Sequence, residues 1–215
     1  MPQDDIGKVK TIDQAHPALA AVKGKADQAK PRQTGVYGSS EAGRAIWGHS
    51  KNGQAGYFEG NVEVRGNVNV SGDIFLANAD CAEDFDVAVD GADAIEPGAV
   101  MTLNDDGSLS QCQQAYDKRV AGVVSGAGDY KPAIVLDKQS QSSHRKPIAL
   151  IGKVFCKVDA QFDSIETGDL LTTSSMQGHA MKASDPSKAF GAVIGKALRP
   201  LKEGQGLIPI LIALQ

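Results

Sequence analysis

The residues best able to do chemistry in this 215-residue chain are four histidines, three cysteines and a run of carboxylates. His144 follows the five polar residues Gln139 to Ser143 and precedes Arg145 and Lys146, so a serine stands beside a histidine, the composition of a nucleophile and its base. Sequence neighbours on a polar loop do not converge as a triad must, and no third group orients the base, so His144 reads as a solvated loop residue. His179, between Gly178 and Ala180, reads as a strand-start residue with a satisfied ring, and His49 as part of an assembly surface. His16 lies in a polar leader. The spacings HExxH, GxSxG, GxxxxGK[ST] and GxGxxG are absent. Cys81, Cys112 and Cys156 are odd in number and far apart, which suits buried, reduced thiols and neither a disulfide framework nor a zinc site. Asp80, Glu83, Asp84 and Asp86 could together take calcium, but the Asp-x-Asp-x-Asp-Gly loop is missing, and the stretch from Asp80 to Asp93 is expected to form solvated turns. Asp105-Asp106 and Ser174-Ser175 are the places where self-cleavage is conceivable, without a residue set that defines a mechanism. No enzymatic activity, metal or cofactor is expected.

The elements that carry these residues are organised by glycine and by charge. Nine of the 24 glycines lie between Gly35 and Gly72. Ten acidic residues and no Lys or Arg occupy Asp73 to Asp106, whereas thirteen basic residues lie between Lys118 and Lys202. A net charge of −4 gives no reason to expect a nucleic-acid partner. No apolar run approaches the ~18 residues of a membrane-spanning helix, so no membrane insertion is expected. Met1 to Lys10 has no apolar stretch of the secretory kind, and synthesis in the cytoplasm without a signal peptide is expected. Residues 1–33 read as an attachment segment, partly helical or flexible.

Residues 34–80 carry two successive repeats. Val36-Tyr37-Gly38, Ile46-Trp47-Gly48 and Gly56-Tyr57-Phe58 recur every ten residues, and a single such unit has too few apolar side chains to offset its own ordering entropy of ~1–2 kcal/mol per residue. From Asn61 the period becomes six, and Val62, Val64, Val68, Val70, Ile74 and Leu76 alternate with polar residues, the signature of strands with one buried face. No neighbouring stretch supplies a hairpin partner, so other copies of the chain, arranged in closed symmetry, are the expected partners. The expected assembly core is Tyr37, Trp47, Tyr57 and Phe58 with the six aliphatic positions; the aromatic strip suits a buried repeat core better than a sugar-stacking surface.

The run GVYGSSEAGRAIWGHSKNGQAGYFEGNVEVRGNVNVSGDI resembles the repeat-rich shaft of trimeric bacteriophage tail fibres and of related proteins in phage-like contractile injection systems. That resemblance implies an intertwined, β-helix-like homotrimer.

Residues 81–215 carry a further repeat, with halves of about 84–140 and 147–215. Ile95-Glu96-Pro97-Gly98-Ala99-Val100-Met101-Thr102 matches Ile165-Glu166-Thr167-Gly168-Asp169-Leu170-Leu171-Thr172, and Lys118-Arg119-Val120 and Val123-Val124 match Lys188-Ala189-Phe190 and Val193-Ile194 at the same offset of 70. The glycine of each first piece is expected at a tight turn before a strand, with Asp105-Asp106-Gly107 and Gln177-Gly178 as the next turns. Strands are expected at 131–137, 147–159, 190–198 and 206–214, as in an all-β sandwich or barrel. This head resembles β-clip-like capsid decoration modules and the C-terminal heads of phage appendages, some of which are self-cleaving intramolecular chaperones.

The expected protein is all-β: an intertwined trimeric β shaft, then a duplicated β-sandwich or β-clip-like head. The expected role is structural, a short fibre or spike of a virion or phage-like particle. Residues 1–33 would hold other particle or baseplate proteins, and the head can meet a cell-surface glycan or receptor. The alternatives are a capsid or tail cement or decoration protein without receptor binding, and a self-cleaving chaperone head.

Overall fold

A computed structural model describes residues 36–88, 94–139 and 144–214. The attachment segment expected at 1–33 lies outside them. Contacts divide the chain into a unit ending at Asn69 and a unit running from Val70 to the C-terminus.

In the first unit, residues 36–69 form neither helix nor strand within the single chain. The ten-residue repeat is nevertheless physical. A side chain at Gly38 would meet the carbonyl of Ala45 at 2.9 Å, and ten residues on, one at Gly48 would meet that of Ala55 at 2.6 Å. Each bend carries a serine three residues before a glycine, and the Ser50 hydroxyl accepts from the Gly53 N–H at 3.0 Å. The Arg44 guanidinium lies 4.2 Å from the centre of the Trp47 ring.

The second unit is nearly all β. Its strands are β1 (Asp80–Asp86), β2 (Val100–Leu103), β3 (Leu109–Gln111), β4 (Val120–Val124), β5 (Pro132–Leu136), β6 (Arg145–Asp159), β7 (Leu170–Thr173), β8 (Ala180–Lys182), β9 (Val193–Ala197) and β10 (Gln205–Ala213), with one short helix, α1 (Pro186–Ala189). The four strand expectations of the second half of the chain hold except at 190–192, where α1 ends in a turn before β9. Asp80–Asp86 corrects the expectation of solvated turns: this acidic run is a strand, paired with β5 on one side and β6 on the other.

The ladder closes twice, which makes the head barrel-like. In one ring, β1 pairs the first half of β6, then β4, β2 and β3 follow, and a parallel bridge from Leu109 to Val87 at the end of β1 completes the circuit. In the other, the second half of β6 pairs β10, then β9, β7 and β8 follow, and a parallel bridge from Ala180 to Val158 completes it. β5 lies outside both rings, on β1.

The segments Ile95–Thr102 and Ile165–Thr172 make similar bonds, but the second match expected at an offset of 70 is corrected: Met101 pairs with Gly122 and Leu171 with Gly195, so β4 and β9 correspond at 73, and 188–189 fall in α1. The Gly98 N–H donates to Val124 and the Gly168 N–H to Ala197, both at 2.8 Å. A bulge falls between Met101 and Thr102, and another between Leu171 and Thr172. One cluster, with Met101, Leu109, Ala121, Val124 and Ile148, fills one side of β2, β4 and the start of β6. A second takes Val100, Val120, Val123 and Ala149 from the same strands and continues into Val154, Cys156, Leu171, Ile194 and Ile210. Buried on both faces, β4 reads Val-Ala-Gly-Val-Val without alternation.

Gly122 and Gly195 occupy matching places beside the bulges and face the backbone of the next strand. A Cβ on Gly122 would sit 2.5 Å from the Ala149 carbonyl, and one on Gly195 closer still to that of Leu211. Gly122→Ala and Gly195→Ala are each expected to destabilise the head by about 1–3 kcal/mol, read as a lower guanidinium midpoint with an unchanged slope.

Candidate functional site

One concavity of the head is a cleft of about 350 Å³ lined by Ala115, Tyr116, Phe162, Asp163, Ser175, Met181, Lys182, Asp185 and Lys188. It draws on the loop between β3 and β4, the loop between β6 and β7, the turn between β7 and β8, and the segment around α1.

Tyr116 has a left-handed backbone, φ 57°, which a side chain with a Cβ adopts only when its surroundings impose it. Those surroundings are specific. The Tyr116 N–H donates to the Thr173 carbonyl at 3.2 Å, and the next N–H, of Asp117, donates to Thr173 Oγ1 at 2.7 Å. The Tyr116 hydroxyl accepts from the Asp185 N–H at 2.8 Å. The ring is thereby held between the two halves of the head, with Lys188 Nζ 5.8 Å from its centre.

Opposite stands Phe162, 71% exposed on a loop, a costly place for an apolar ring without a partner. Asp163 accepts from the Ser184 hydroxyl at 2.7 Å. Asp185 caps α1, accepting from the Ser187 hydroxyl at 2.6 Å and backbone N–H at 3.0 Å, with Lys188 Nζ at 3.2 Å. The Ser187 hydroxyl, followed by Lys188, holds the Asp185 carboxyl below the usual range. Lys182 is paired to Asp169 at 2.9 Å, which raises its pKa. Two aromatic rings thus stand beside fixed carboxylates and ammonium groups, an apolar face next to polar ones. Behind the β3–β4 loop a second hollow of about 450 Å³ is lined by Asn104, Gln111, Gln113, Gln114, Asp117 and Arg119, among others.

The ten residues expected in the assembly core are all exposed in the single chain, from 44% for Val70 to 82% for Tyr37. His144 is exposed beside β6. His179 immediately precedes β8, and its Nδ1 lies 2.7 Å from the Gln177 carbonyl. His49 is exposed, and His16 lies outside the described residues.

Cys112 and Cys156 are free and buried; burial pushes the Cys112 thiol up to about 11 and Cys156 higher, so both stay protonated. Cys81 is partly exposed, which corrects the expectation of three buried thiols.

Of the four carboxylates weighed for calcium, those of Asp80 and Asp86 have other partners. Asp80 is buried and accepts from the Ser125 hydroxyl at 2.8 Å; burial raises its pKa against that bond. Arg145 binds the Asp84 carbonyl and pairs with the Asp86 carboxylate at 3.3 Å. Residues 89–93 lie outside the described residues, among which no three His, Cys, Asp or Glu side chains are arranged to hold a metal. Asp105 and Asp106 form the exposed turn after β2. Ser174 is buried and donates to Asp159 at 3.1 Å, while Ser175 lines the cleft. Among the described residues no helix is long and apolar enough to cross a membrane.

The cleft itself went unread in the sequence. Its signal was an aromatic stranded among polar residues, in Gln113-Gln114-Ala115-Tyr116-Asp117 and again in Gln161-Phe162-Asp163-Ser164.

No protein-family model matches the chain, and no curated protein matches it. Among solved structures, the pre-mature bacteriophage phi29 gene product 12 aligns over 69% of this chain and 24% of its own, at 14% identity and a TM-score of 0.49. The C-terminal fragment of phi29 gene product 12 aligns over 62% of this chain and all of its own, at 16% identity and a TM-score of 0.42. The N base of the phi29 head fiber gp8.5 aligns over 63% of this chain and 90% of its own, at 20% identity and a TM-score of 0.29. This chain thus spans about a quarter of the first of these structures.

Protonation gives a test of the cleft's rim. Because the Asp185 carboxyl is held low, its contribution to the α1 cap is complete above the unfolded value of ~3.9 and is lost as pH falls through the lower folded value. The Ser187 amide resonance is expected to titrate with a midpoint below ~3.9, and Asp185→Ala, which removes the cap, abolishes that transition.

Proposed function

We propose that this chain is a non-enzymatic structural appendage, a short fibre or spike, of a phage or phage-like particle. Three copies assemble through the repeats of residues 36–76, attach by the N-terminal segment, and present heads made of two copies of one β module. The observation that carries the reading is the periodic exposure of Tyr37, Trp47, Tyr57, Phe58 and the alternating aliphatic residues in a single chain. Burying each such side chain fully stabilises by up to about 1.5–3 kcal/mol before the costs of association, so ten of them together are a substantial driving force for assembly. Left bare, they would aggregate. The number three, and the particle, come from the resemblance of the shaft motifs to trimeric fibres. The matching bonds and bulges about 70 residues apart support the two-module reading of the head.

With three heads on one axis, weak contacts at each cleft add as avidity on a repetitive surface. Phe162 and Tyr116 supply the stacking faces, and Lys188, Asp163 and Ser175 the polar contacts.

Light scattering is expected to give about three times 22.5 kDa, and Val64→Asp with Val68→Asp to return the mass to one chain while the head stays folded by NMR. A wild-type mass of 22.5 kDa overturns the assembly. Phe162→Ala is expected to reduce retention on glycan-bearing bacterial cells at least tenfold without changing the mass. Binding only to assembled particles replaces recognition by a cement role, and a discrete cut band on denaturing gels identifies a self-processing head.

A further inference from the structure

The outer face of the head carries an apolar row that crosses four strands. Cys81 on β1 is paired with Ile134 on β5 and with Ile151 on β6, and Ile151 is paired with Ala213 on β10. Directly paired residues project to the same side of a sheet, so these four side chains form one line. Ile151 is 70% exposed and Ile134 44%, Ala213 is exposed, and Leu211, two residues before Ala213 on the same face, is 43% exposed. β5, whose sequence Pro-Ala-Ile-Val-Leu lacks any charge, pairs with β1 alone among the described strands, leaving its other edge unpaired. Exposed apolar edges of this kind require a cover.

The position of the row identifies that cover. The alternating residues Val70, Ile74 and Leu76 run directly into β1. At the junction, the Ala79 N–H donates to the Lys131 carbonyl at 3.0 Å, just before β5, and the Ala79 carbonyl accepts from the Lys153 N–H of β6 at 3.3 Å. The chain therefore enters the head between β5 and β6, two residues before Cys81. Leu76 and Cys81 are five residues apart, at most ~18 Å of chain. Copies joined at Leu76 bring their rows within reach of one another.

We infer that the copy-to-copy interface continues past the repeats onto the head, where Ile134, Cys81, Ile151 and Ala213 of one copy pack against another copy of this chain. This rests on the assembly proposed above. It gives the heads a fixed mutual orientation and makes the unpaired edge of β5 an interface.

Cys81 reports on it directly, because the other two thiols are buried at 0% exposure. In the native full-length protein, a short bismaleimide is expected to join chains, with Cys81→Ser abolishing the product, and 5,5′-dithiobis(2-nitrobenzoate) to react with Cys81 at least tenfold more slowly than in the dissociated Val64→Asp, Val68→Asp variant. Ile151→Asp, at an exposed position that does not endanger the fold, is expected to restore fast reaction while the light-scattering mass stays that of the assembly. An assembled mass with Cys81 as reactive as in the dissociated variant overturns this inference and leaves the assembly standing. A single-chain mass overturns both.

Discussion

A strand has two edges, and a sheet is secure only when both are satisfied; in the two rings of this head, though not for β5 outside them, that condition is met through β6. Its fifteen residues pair with β1 and β4 in the first half and with β10 and β8 in the second. Each half closes a ring of five strands, and neither ring is complete without it. The shared strand also explains why the two clusters of buried side chains abut. β2, β4 and the start of β6 have one cluster on each face, which is how chains of such modest aromatic content sustain a core.

The cleft is a product of the same arrangement. Tyr116 belongs to the loop after β3, yet its backbone and hydroxyl are bound by Thr173 and Asp185 from the far half of the sequence. Its left-handed conformation is sustained by those bonds and not by local preference. Asp185 serves twice, through its N–H to the tyrosine and its carboxylate to α1 and Lys188, so the aromatic wall and the charged rim are set by one residue.

Much of this was legible. The offset of 70 between Ile95–Thr102 and Ile165–Thr172 predicted turns that recur with similar Gly98 and Gly168 bonds, because glycine placement acts locally, but it did not carry to β4 and β9, which correspond at 73. The alternation from Val62 to Leu76 was equally plain, and those residues stand exposed and unsatisfied in one chain. The acidic strand β1 was misread. Asp80, Asp84 and Asp86 look like solvated turn residues until Ser125 and Arg145, 45 and about 60 positions away, are brought beside them. Tyr116 and Phe162 escaped for the same reason: a cleft made from four distant loops leaves no spacing in the sequence, only a ring out of place among polar neighbours.

The sharing of β6 also fixes an order of manufacture. The pairings of β1 with β6 in the first ring lie between Asp80 and Gly152, so all five of its strands are synthesised before β7. Once that ring has closed, the second half of β6 extends from an anchored first half, a template on which β10, the final strand, docks in register across nine residues. The slow search for long-range pairing is divided into two shorter ones, the second begun from a surface that already exists. The apolar residues of 36–76 are made before the head, and in a single chain they stand exposed while it folds.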